Sequence, residues 1–284
     1  MIRVLVTGST GFIGRRTTAL LRGTATMEVI TMGGRASRAT DADVVGVDVR
    51  DRTAVRRLMA RIHPSIVIHL AGALPQPGTS DDELRSSIVD GTRTLSESAV
   101  EHGARRFVLA SSAAVYGDQQ SGPIAEDAPL SASGTYCAAK IDAERIVAEA
   151  LDLSPTSGVC VRLFNVHGDP QGPSLPDRLL RSTPATPVTL RAPERFIRDY
   201  LHVDDAARAV VAAAVRGTDR AVCAMNAGTG VGLTSAALVE HLSRDAPVHV
   251  DEVDGAPSSS VADTTFAQRQ FGFAARSRFT PAIA

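Results

Sequence analysis

Short apolar runs alternate with longer amphipathic stretches through the first 165 residues of the chain. The short runs are rich in valine and isoleucine and are continuous in character, which is typical of strands buried on both faces of a sheet. Strand and helix alternation of this kind predicts an α/β fold with a Rossmann-like, doubly wound parallel sheet and right-handed crossovers. The pattern predicts strands at 2–6, 29–32, 44–47, 65–71, 106–111 and 158–164, and helices at 12–22, 53–62, 81–102 and 136–151.

The pattern changes after residue 165. It becomes irregular, prolines are frequent between 170 and 193, and two more helices are predicted at 204–216 and 234–243. We therefore expect a Rossmann domain over residues 1–165 and a smaller C-terminal lobe over residues 166–284 that binds a substrate, with the chain free to cross back between them.

Composition and charge disfavour several classes of protein. The formal net charge is −1 and no tract of basic residues is longer than a pair, so binding to nucleic acid or to a membrane surface is not expected. The longest apolar run, 209–215, is too short to span a bilayer, and the chain starts with a strand pattern and not with a signal peptide pattern. The three cysteines and seven histidines show no disulfide or metal-ligand spacing, so we expect a cytoplasmic protein without a metal site.

The segment VTGSTGFIGRR lies between the first predicted strand and the first predicted helix. Gly8 would permit a tight turn, Gly11 would let the backbone approach a pyrophosphate, and Gly14 would let the helix pack closely on the strand. The N-terminus of that helix would offer amide donors and the positive end of its dipole to the phosphates. Three glycines in this position, around Phe12 and Ile13, predict a dinucleotide-binding loop; the alternative is a glycine-rich turn without a ligand.

The end of the second predicted strand indicates which dinucleotide is preferred. NAD-specific sites usually have an acidic residue here that accepts from the ribose 2′-hydroxyl. This chain has Gly33 and Gly34, followed by Arg35 and Arg38. An arginine can bind the 2′-phosphate that a carboxylate would repel, so the sequence favours NADP(H) over NAD(H). The alternative is that Arg35 is a solvated loop residue.

The chain contains a single lysine, Lys140, among its 30 basic residues. On a solvated surface lysine and arginine are nearly equivalent, but an ammonium is a compact point charge that can act beside a titrating group. Lys140 follows Tyr136 by four residues in a predicted helix, so both lie on one face. The lone lysine either marks a reactive site or has survived by chance on an exposed face. Cys137, between the two, is interpreted as a packing residue.

Eight segments together resemble the extended short-chain dehydrogenases/reductases of the NAD-dependent epimerase/dehydratase family, most of which handle nucleotide sugars. They cover nearly the whole chain: TGSTGFIG (7–14), VDVRD (47–51), VIHLAG (67–72), LASSAAVYG (109–117), TYCAAK (135–140), RLFNVHG (162–168), RDYLHVDDAARA (198–209) and VADTTFAQRQFGF (261–273).

The resemblance implies a catalytic set of Ser112, Tyr136 and Lys140. A carbonyl that accepts hydride develops negative charge on its oxygen and needs a proton donor, and a tyrosine with a lowered pKa can supply it. A nearby cation favours the phenolate and so lowers that pKa. Ser112 would hydrogen-bond the reacting oxygen, and it is Ser112 that matches the family pattern before AAVYG, not its neighbour Ser111.

The resemblance also implies contacts with the cofactor and the substrate. Asn165 and Arg198 match positions that contact a substrate diphosphate, although Arg198 could also form a local ion pair with Asp199. Asp204 and Asp205 are expected to cap the helix at 204–216, and His202 is expected to be structural. The cofactor positions, beyond the glycine loop, Arg35, Tyr136 and Lys140, are Asp48 and Val49 at the adenine, Leu70, Ala71 and Ala73 after the fourth strand, and Leu163 and Val166 near the nicotinamide.

The sequence departs from the family pattern in ways that bear on function. Family dehydratases have an Asp-Glu pair after the serine or threonine, where this chain has Ala113 and Ala114, so dehydration is disfavoured. The arginine that clamps a sugar nucleotide before the last helix has no counterpart between residues 245 and 268. Either the substrate nucleotide is held differently or the substrate is not a nucleotide sugar.

We therefore expect an NAD(P)H-dependent ketoreductase that acts on a nucleotide-linked keto-deoxysugar, of the 4-ketoreductase type. The alternatives are a nucleotide-sugar epimerase that retains its NAD and a ketoreductase for a non-sugar natural-product ketone. A non-catalytic NAD(P)-binding sensor on the same fold is disfavoured by the intact catalytic set. The expected partner is a small molecule, and the sequence leaves open whether the chain forms a homodimer.

Overall fold

The computed structural model describes residues 1–34, 44–117, 119–168, 172–217, 221–276 and 279. In these ranges the strands are β1 (Ile2–Thr7), β2 (Met27–Gly33), β3 (Val44–Gly46), β4 (Ile66–His69), β5 (Arg106–Ser112), β6 (Gln119–Ile124), β7 (Ser157–Leu163), β8 (Val166–His167), β9 (Val188–Arg191), β10 (Phe196–Asp199), β11 (Leu201–His202), β12 (Val222–Ala227), β13 (Gly232–Thr234), β14 (Val250–Val253) and β15 (Ser258–Ala262).

Helices alternate with many of these strands along the chain. They are α1 (Phe12–Arg22), α2 (Arg52–Ile62), α3 (Asp81–Arg85), α4 (Gly91–Glu101), α5 (Thr135–Leu151), α6 (Leu175–Leu180), α7 (Val203–Val215), α8 (Ser235–Leu242) and α9 (Thr265–Phe271), with a π-helical turn over Ser86–Asp90 and a 3₁₀ turn over Ala113–Tyr116.

A parallel sheet of seven strands in the described residues forms the centre of the fold, in the order β12-β7-β5-β4-β1-β2-β3. Successive residues of a strand face opposite sides, so Val4 and Val6 of β1 pack in one apolar cluster and Leu5 packs in the other. Helices α7 and α9 contribute to the first cluster, and α2, α4 and α5 contribute to the second. Helices therefore cover both faces, and the expected doubly wound α/β fold is confirmed.

The chain after residue 165 contributes to both parts of the molecule. Helix α7 packs against α1, and β12 pairs with β7 to extend the large sheet. The remaining strands form smaller sheets, of which the largest in the described ranges is β13-β10-β15-β6. Strand β10 brings Arg198 to the edge of a cavity that also contacts the large sheet.

Two predicted elements differ from the structure. The single helix expected over 81–102 is α3, a π-helical turn and α4. In the widened turn the Ser87 hydroxyl accepts a hydrogen bond from the Ala73 amide at 3.0 Å, a tertiary contact that spacing along the helix does not reveal. The capping residue of α7 also differs from the prediction. The His202 side chain caps the helix by accepting from the Asp204 amide, whereas Asp204 and Asp205, the predicted caps, lie in the first turn.

Two glycines at the junction of β1 and α1, Gly8 and Gly14, leave no room for a side chain. Gly8 has a φ of +67°, and a Cβ added there would lie 2.6 Å from the Ala71 amide nitrogen. A Cβ at Gly14 would overlap the carbonyl group of Gly8. Because both obstacles are backbone atoms, neither can rotate away, and the loop geometry requires glycine at both positions.

We predict that Gly14→Ala lowers the free energy of unfolding by at least about 2 kcal/mol, since the methyl group forces α1 away from the loop. Gly34→Ala is the control, because a Cβ there meets nothing within 4 Å; it should change stability by less than about 0.5 kcal/mol. Chemical denaturation measures both. A Gly14→Ala variant as stable as Gly34→Ala would contradict the steric account.

Candidate active site

The carboxyl end of β5 meets one face of α5. Tyr136 and Lys140 are one turn apart on that face, as their spacing predicts. The Ser112 hydroxyl is hydrogen-bonded to Tyr136 and also accepts from the Ala114 amide at 3.2 Å. The Lys140 ammonium donates to the Ala110 carbonyl at 2.8 Å and lies 5.8 Å from the centre of the Tyr136 ring. The three predicted catalytic residues are therefore brought together.

Burial shifts the pKa values of Lys140 and of the neighbouring His69. The Lys140 side chain is buried, and desolvation lowers its pKa from 10.5 to about 8, although the charge of Glu144 opposes that shift. His69 at the end of β4 is buried as well; desolvation, followed by repulsion from Lys140, lowers its pKa to about 3. His69 is therefore neutral and accepts or donates through Nδ1 to the Thr7 hydroxyl at 2.8 Å.

The pKa of Tyr136 departs from the sequence-based expectation. Burial raises it above the ordinary value of 10.0, and the hydrogen bond from Ser112 offsets only part of that rise. The expected lowering by Lys140 is therefore not what this structure shows. Tyr136 holds its proton at neutral pH, which is the state that a proton donor requires.

A cavity of about 740 Å³ connects the glycine loop with Ser112, Tyr136 and Lys140. Strands β4, β5 and β7 end at it, as expected for ligands at the carboxyl edge of a parallel sheet. Of the residues predicted from the sequence, those that line it are Gly8, Gly11, Phe12, Ile13, Gly14, Leu70, Ala73, Ser112, Tyr136, Lys140, Leu163, Asn165, Val166 and Arg198.

Three of the predicted cofactor positions that the structure describes are not part of the cavity wall. The Ala71 backbone packs under Gly8, and its amide donates to the Thr7 hydroxyl at 3.3 Å. Asp48 lies after β3 in an ion pair with Arg50 at 2.6 Å, and Val49 packs beside Gly91; neither is part of the cavity wall formed by the described residues. Arg35, together with Arg38, lies outside the described residues.

The residues around the glycine loop fit a dinucleotide. The close approach of Gly8, Gly11 and Gly14 leaves a concave backbone surface at the start of α1. Gly11 caps this helix without a side-chain hydrogen bond, so the first-turn amides can face a phosphate. The loop, the sheet edge and Lys140 border one continuous cavity, which is the arrangement a nicotinamide dinucleotide needs.

Arg198 and Asn165 also line the cavity. The Arg198 guanidinium lies 3.7 Å from the centre of the Phe196 ring and donates to the Ile197 carbonyl at 2.9 Å. Asn165 donates to the Asp199 carbonyl at 2.9 Å. The Asp199 carboxylate accepts from the Thr229, Gly230 and Ala262 amides and from the Thr229 hydroxyl at 2.6 Å, so four donors hold it in place.

From the sequence, no role was assigned to three residues that form a hydrogen-bonded group near this site. Ser111, Glu144 and Arg162 form this group, in which Ser111 and Glu144 lie close to Ser112 and Lys140 in the chain. Two sequence signals mark them. Glu144 continues the spacing of Tyr136 and Lys140 by one more helical turn, and Arg162 is a charged residue within an apolar strand.

The described part of the chain contains no group of three or more side chains suited to hold a metal ion. Among the same residues, no helix combines the length and the apolar character that a membrane crossing requires.

The buried Lys140 charge should make the folded chain less stable than it would be with a neutral side chain. Its pKa is about 8 in the folded chain and 10.5 for a solvated lysine, so the cost is present below about pH 8 and disappears as the pH rises towards 10.5. We predict that Lys140→Met raises the free energy of unfolding at neutral pH by about 2 kcal/mol, after the loss of one hydrogen bond. Denaturation measured across this pH range tests it; a destabilised variant, or a gain independent of pH, would contradict it.

Comparison with known proteins agrees with this geometry. The model of the NAD dependent epimerase/dehydratase family matches residues 4–228. A UDP-glucose 4-epimerase of Streptomyces lividans is 28% identical over 272 residues, 85% of this chain and 80% of that protein. A 3-diazoavenalumate denitrifying reductase of a Streptomyces species is 34% identical over 226 residues, 75% of this chain and 72% of that protein.

A solved structure shows the same fold with ligands in place. MoeE5 in complex with UDP-glucose and NAD has a TM-score of 0.83 and 29% identity, and the match covers 98% of this chain and 94% of that one. The match to the family model covers most of the chain and includes the glycine loop and the Ser112, Tyr136 and Lys140 positions. The chain therefore belongs to the NAD-dependent epimerase/dehydratase family of extended short-chain dehydrogenases/reductases and is an enzyme of that class.

Proposed function

We propose that the protein is an NAD(P)H-dependent reductase that reduces a carbonyl group at the Ser112, Tyr136 and Lys140 site. The observation that carries the proposal is the hydrogen bond between Ser112 and Tyr136, at a cavity that also contains Lys140 and the glycine loop. Ala113 and Ala114 stand where family dehydratases carry their acid pair. The site thus has one proton donor beside the position of the reacting carbonyl.

The protein's own residues divide the work on the substrate oxygen. When bound, the reduced nicotinamide supplies the hydride. Tyr136 gives its proton to the oxygen as negative charge develops there, and Ser112 hydrogen-bonds the same oxygen. Lys140 places its ammonium 5.8 Å from the centre of the Tyr136 ring, where a positive charge would favour the phenolate that this proton transfer leaves.

We propose a nucleotide-linked keto-deoxysugar as the substrate class. The names of the epimerase and of the MoeE5 complex refer to UDP-glucose, and Asn165 and Arg198 line the cavity where this chain would bind a diphosphate. A nucleotide-sugar epimerase would use the same three catalytic residues. It would also have to retain its NAD through a transient oxidation, and the missing acidic residue at Gly33 and the missing clamp arginine favour a reductase instead.

A second candidate substrate is a non-sugar ketone. The chain has no arginine between residues 245 and 268, so one phosphate clamp of the family is absent. The 34% identical relative is named as a reductase of a diazo compound and not as a sugar enzyme. The aromatic and apolar side chains Leu74, Leu175, Phe196 and Tyr200 on the cavity wall suit a less polar substrate.

The cofactor proposal is NADPH in preference to NADH. At the end of β2, Gly33 is buried and its carbonyl accepts from the Val47 amide at 3.0 Å, so no carboxylate selects the 2′-hydroxyl there. Arg35 follows two residues later in the sequence, where a cation would favour a 2′-phosphate. MoeE5, by comparison, was solved with NAD.

Lys140→Arg and Tyr136→Phe should each lower kcat by about a hundredfold or more, since one loses the compact cation and the other the proton donor. Arg145→Lys, an exposed exchange on the same helix, is the matched control. The assay follows consumption of NADPH with nucleotide-linked 4-ketosugars and non-sugar ketones. Consumption equal to product formed identifies a reductase, whereas turnover without consumption and with copurified NAD identifies an epimerase. Wild-type rates in either variant would contradict the proposed site.

Wild-type protein should bind NADPH about ten- to a hundredfold more tightly than NADH, since an arginine–phosphate contact contributes about 1.5–3 kcal/mol. Gly33→Asp should erase or reverse this preference, and Arg35→Ala should weaken NADPH much more than NADH. Arg22→Ala, an exposed arginine at the far end of α1, is the control for loss of charge. Fluorescence titration gives the dissociation constants. Tighter NADH binding by the wild type would overturn the NADPH assignment.

A further inference from the structure

The last three residues of β5 are each held by a different turn of α5. The Ala110 carbonyl accepts from Lys140 at 2.8 Å, the Ser111 hydroxyl donates to Glu144, and Ser112 is hydrogen-bonded to Tyr136. The helix therefore fixes three successive positions of the strand with residues spaced four apart. Two of these bonds involve catalytic residues, and the third, from Ser111 to Glu144, has no part in the chemistry described above.

Glu144 is itself fixed in place. Its carboxylate accepts from Arg162 Nη2 at 2.7 Å and from Arg162 Nε at 3.0 and 3.2 Å, a bidentate pair. The two side chains are only 6% and 10% exposed, for arginine and glutamate respectively, so solvent does little to weaken the pair. A charge pair that is buried and fully hydrogen-bonded has one geometry, and losing either partner is costly.

The network continues towards the C-terminal lobe. Arg162 donates to the Tyr116 hydroxyl at 2.7 Å, and Tyr116 donates to Asn226 at 2.7 Å. Asn226 lies on β12 and donates to the Ile124 carbonyl of β6 at 2.8 Å. Glu144 is thus joined through side chains to both the large sheet and the sheet that contains Arg198.

We propose that Glu144, held by Arg162, is a positioning residue: it fixes the end of β5 through Ser111 and places a negative charge one helical turn from the Lys140 ammonium. Glu144 does not touch the reacting atoms, and its effect on the reaction passes through Ser112 and Lys140. This role rests on the proposed function, since it concerns the same site, but it can be tested without a substrate.

The groups that face Lys140 explain why the charge of Glu144 matters. His69 from β4 is neutral, with a pKa of about 3, and burial raises the pKa of the Cys160 thiol on β7, so neither carries a negative charge near neutral pH. Tyr136 is protonated there as well. Glu144, one helical turn from Lys140, is the ionised carboxylate that opposes the cost of burying this ammonium.

The single lysine makes a direct measurement practical. Protein labelled with ¹³C-lysine and produced without lysine in its tag gives one side-chain signal, whose titration reports Lys140 alone. In Glu144→Gln the titration midpoint should fall by about one pH unit or more. Glu149→Gln removes the same charge from an exposed position of the same helix and should leave the midpoint unchanged. Equal midpoints in Glu144→Gln and wild type would overturn the electrostatic half of the proposal.

Ser111→Ala tests the positioning half and leaves the Glu144–Arg162 pair intact, so this half is decided even if Glu144→Gln fails to fold. Losing one hydrogen bond of about 1.4 kcal/mol should accelerate amide hydrogen exchange at residues 112–114 about tenfold. Unchanged exchange there would overturn this half. If the protein turned over none of the carbonyl substrates, that result would count against the proposed function. The lysine titration and the exchange measurement would still test the positioning role of Glu144.

Discussion

The buried ammonium of Lys140 is the constraint on which the active-site region depends. A pKa of about 8 in place of 10.5 corresponds to about 3 kcal/mol that folding must offset to keep this charge away from water. Two groups that stabilise that charge are the Ala110 carbonyl, which accepts from the ammonium, and the Glu144 carboxylate. The packing of α5 against β5 brings them together. The arrangement also explains why lysine, and not arginine, stands at position 140. A guanidinium has five donors and would not fit a position that offers one carbonyl acceptor.

The second constraint is steric and acts at the other end of the cavity. Gly8 and Gly14 bring β1, α1 and the end of β4 into backbone contact, which shapes the concave surface for phosphates. The parallel sheet aligns both ends, since β1, β4, β5 and β7 all finish at the same edge. The cavity between glycine loop and lysine is therefore a consequence of strand direction, and the C-terminal lobe closes it with β10 and Arg198.

The parts of the structure that could be predicted are those with a local signal. Continuous valine-rich runs predicted six of the seven strands of the large sheet, all except β12, and helix α1 begins and ends where its pattern places it. The glycine spacing and the four-residue spacing of Tyr136 and Lys140 each determine a local geometry. In contrast, the π-helical turn depends on the bond from Ala73 to Ser87, and the raised pKa of Tyr136 depends on burial. The Glu144–Arg162 pair joins residues on α5 and β7 that only the fold brings together. Whether Arg35 reaches the cofactor is still a prediction.

The most direct test of this account is the titration of Lys140 in the wild-type protein, followed through the one lysine signal in a ¹³C-lysine-labelled sample. The account predicts a midpoint near 8, where the charged lysine is buried beside Glu144 and Ala110. A midpoint near 10.5, the value of a solvated lysine, would show that the ammonium faces water and would contradict the central claim.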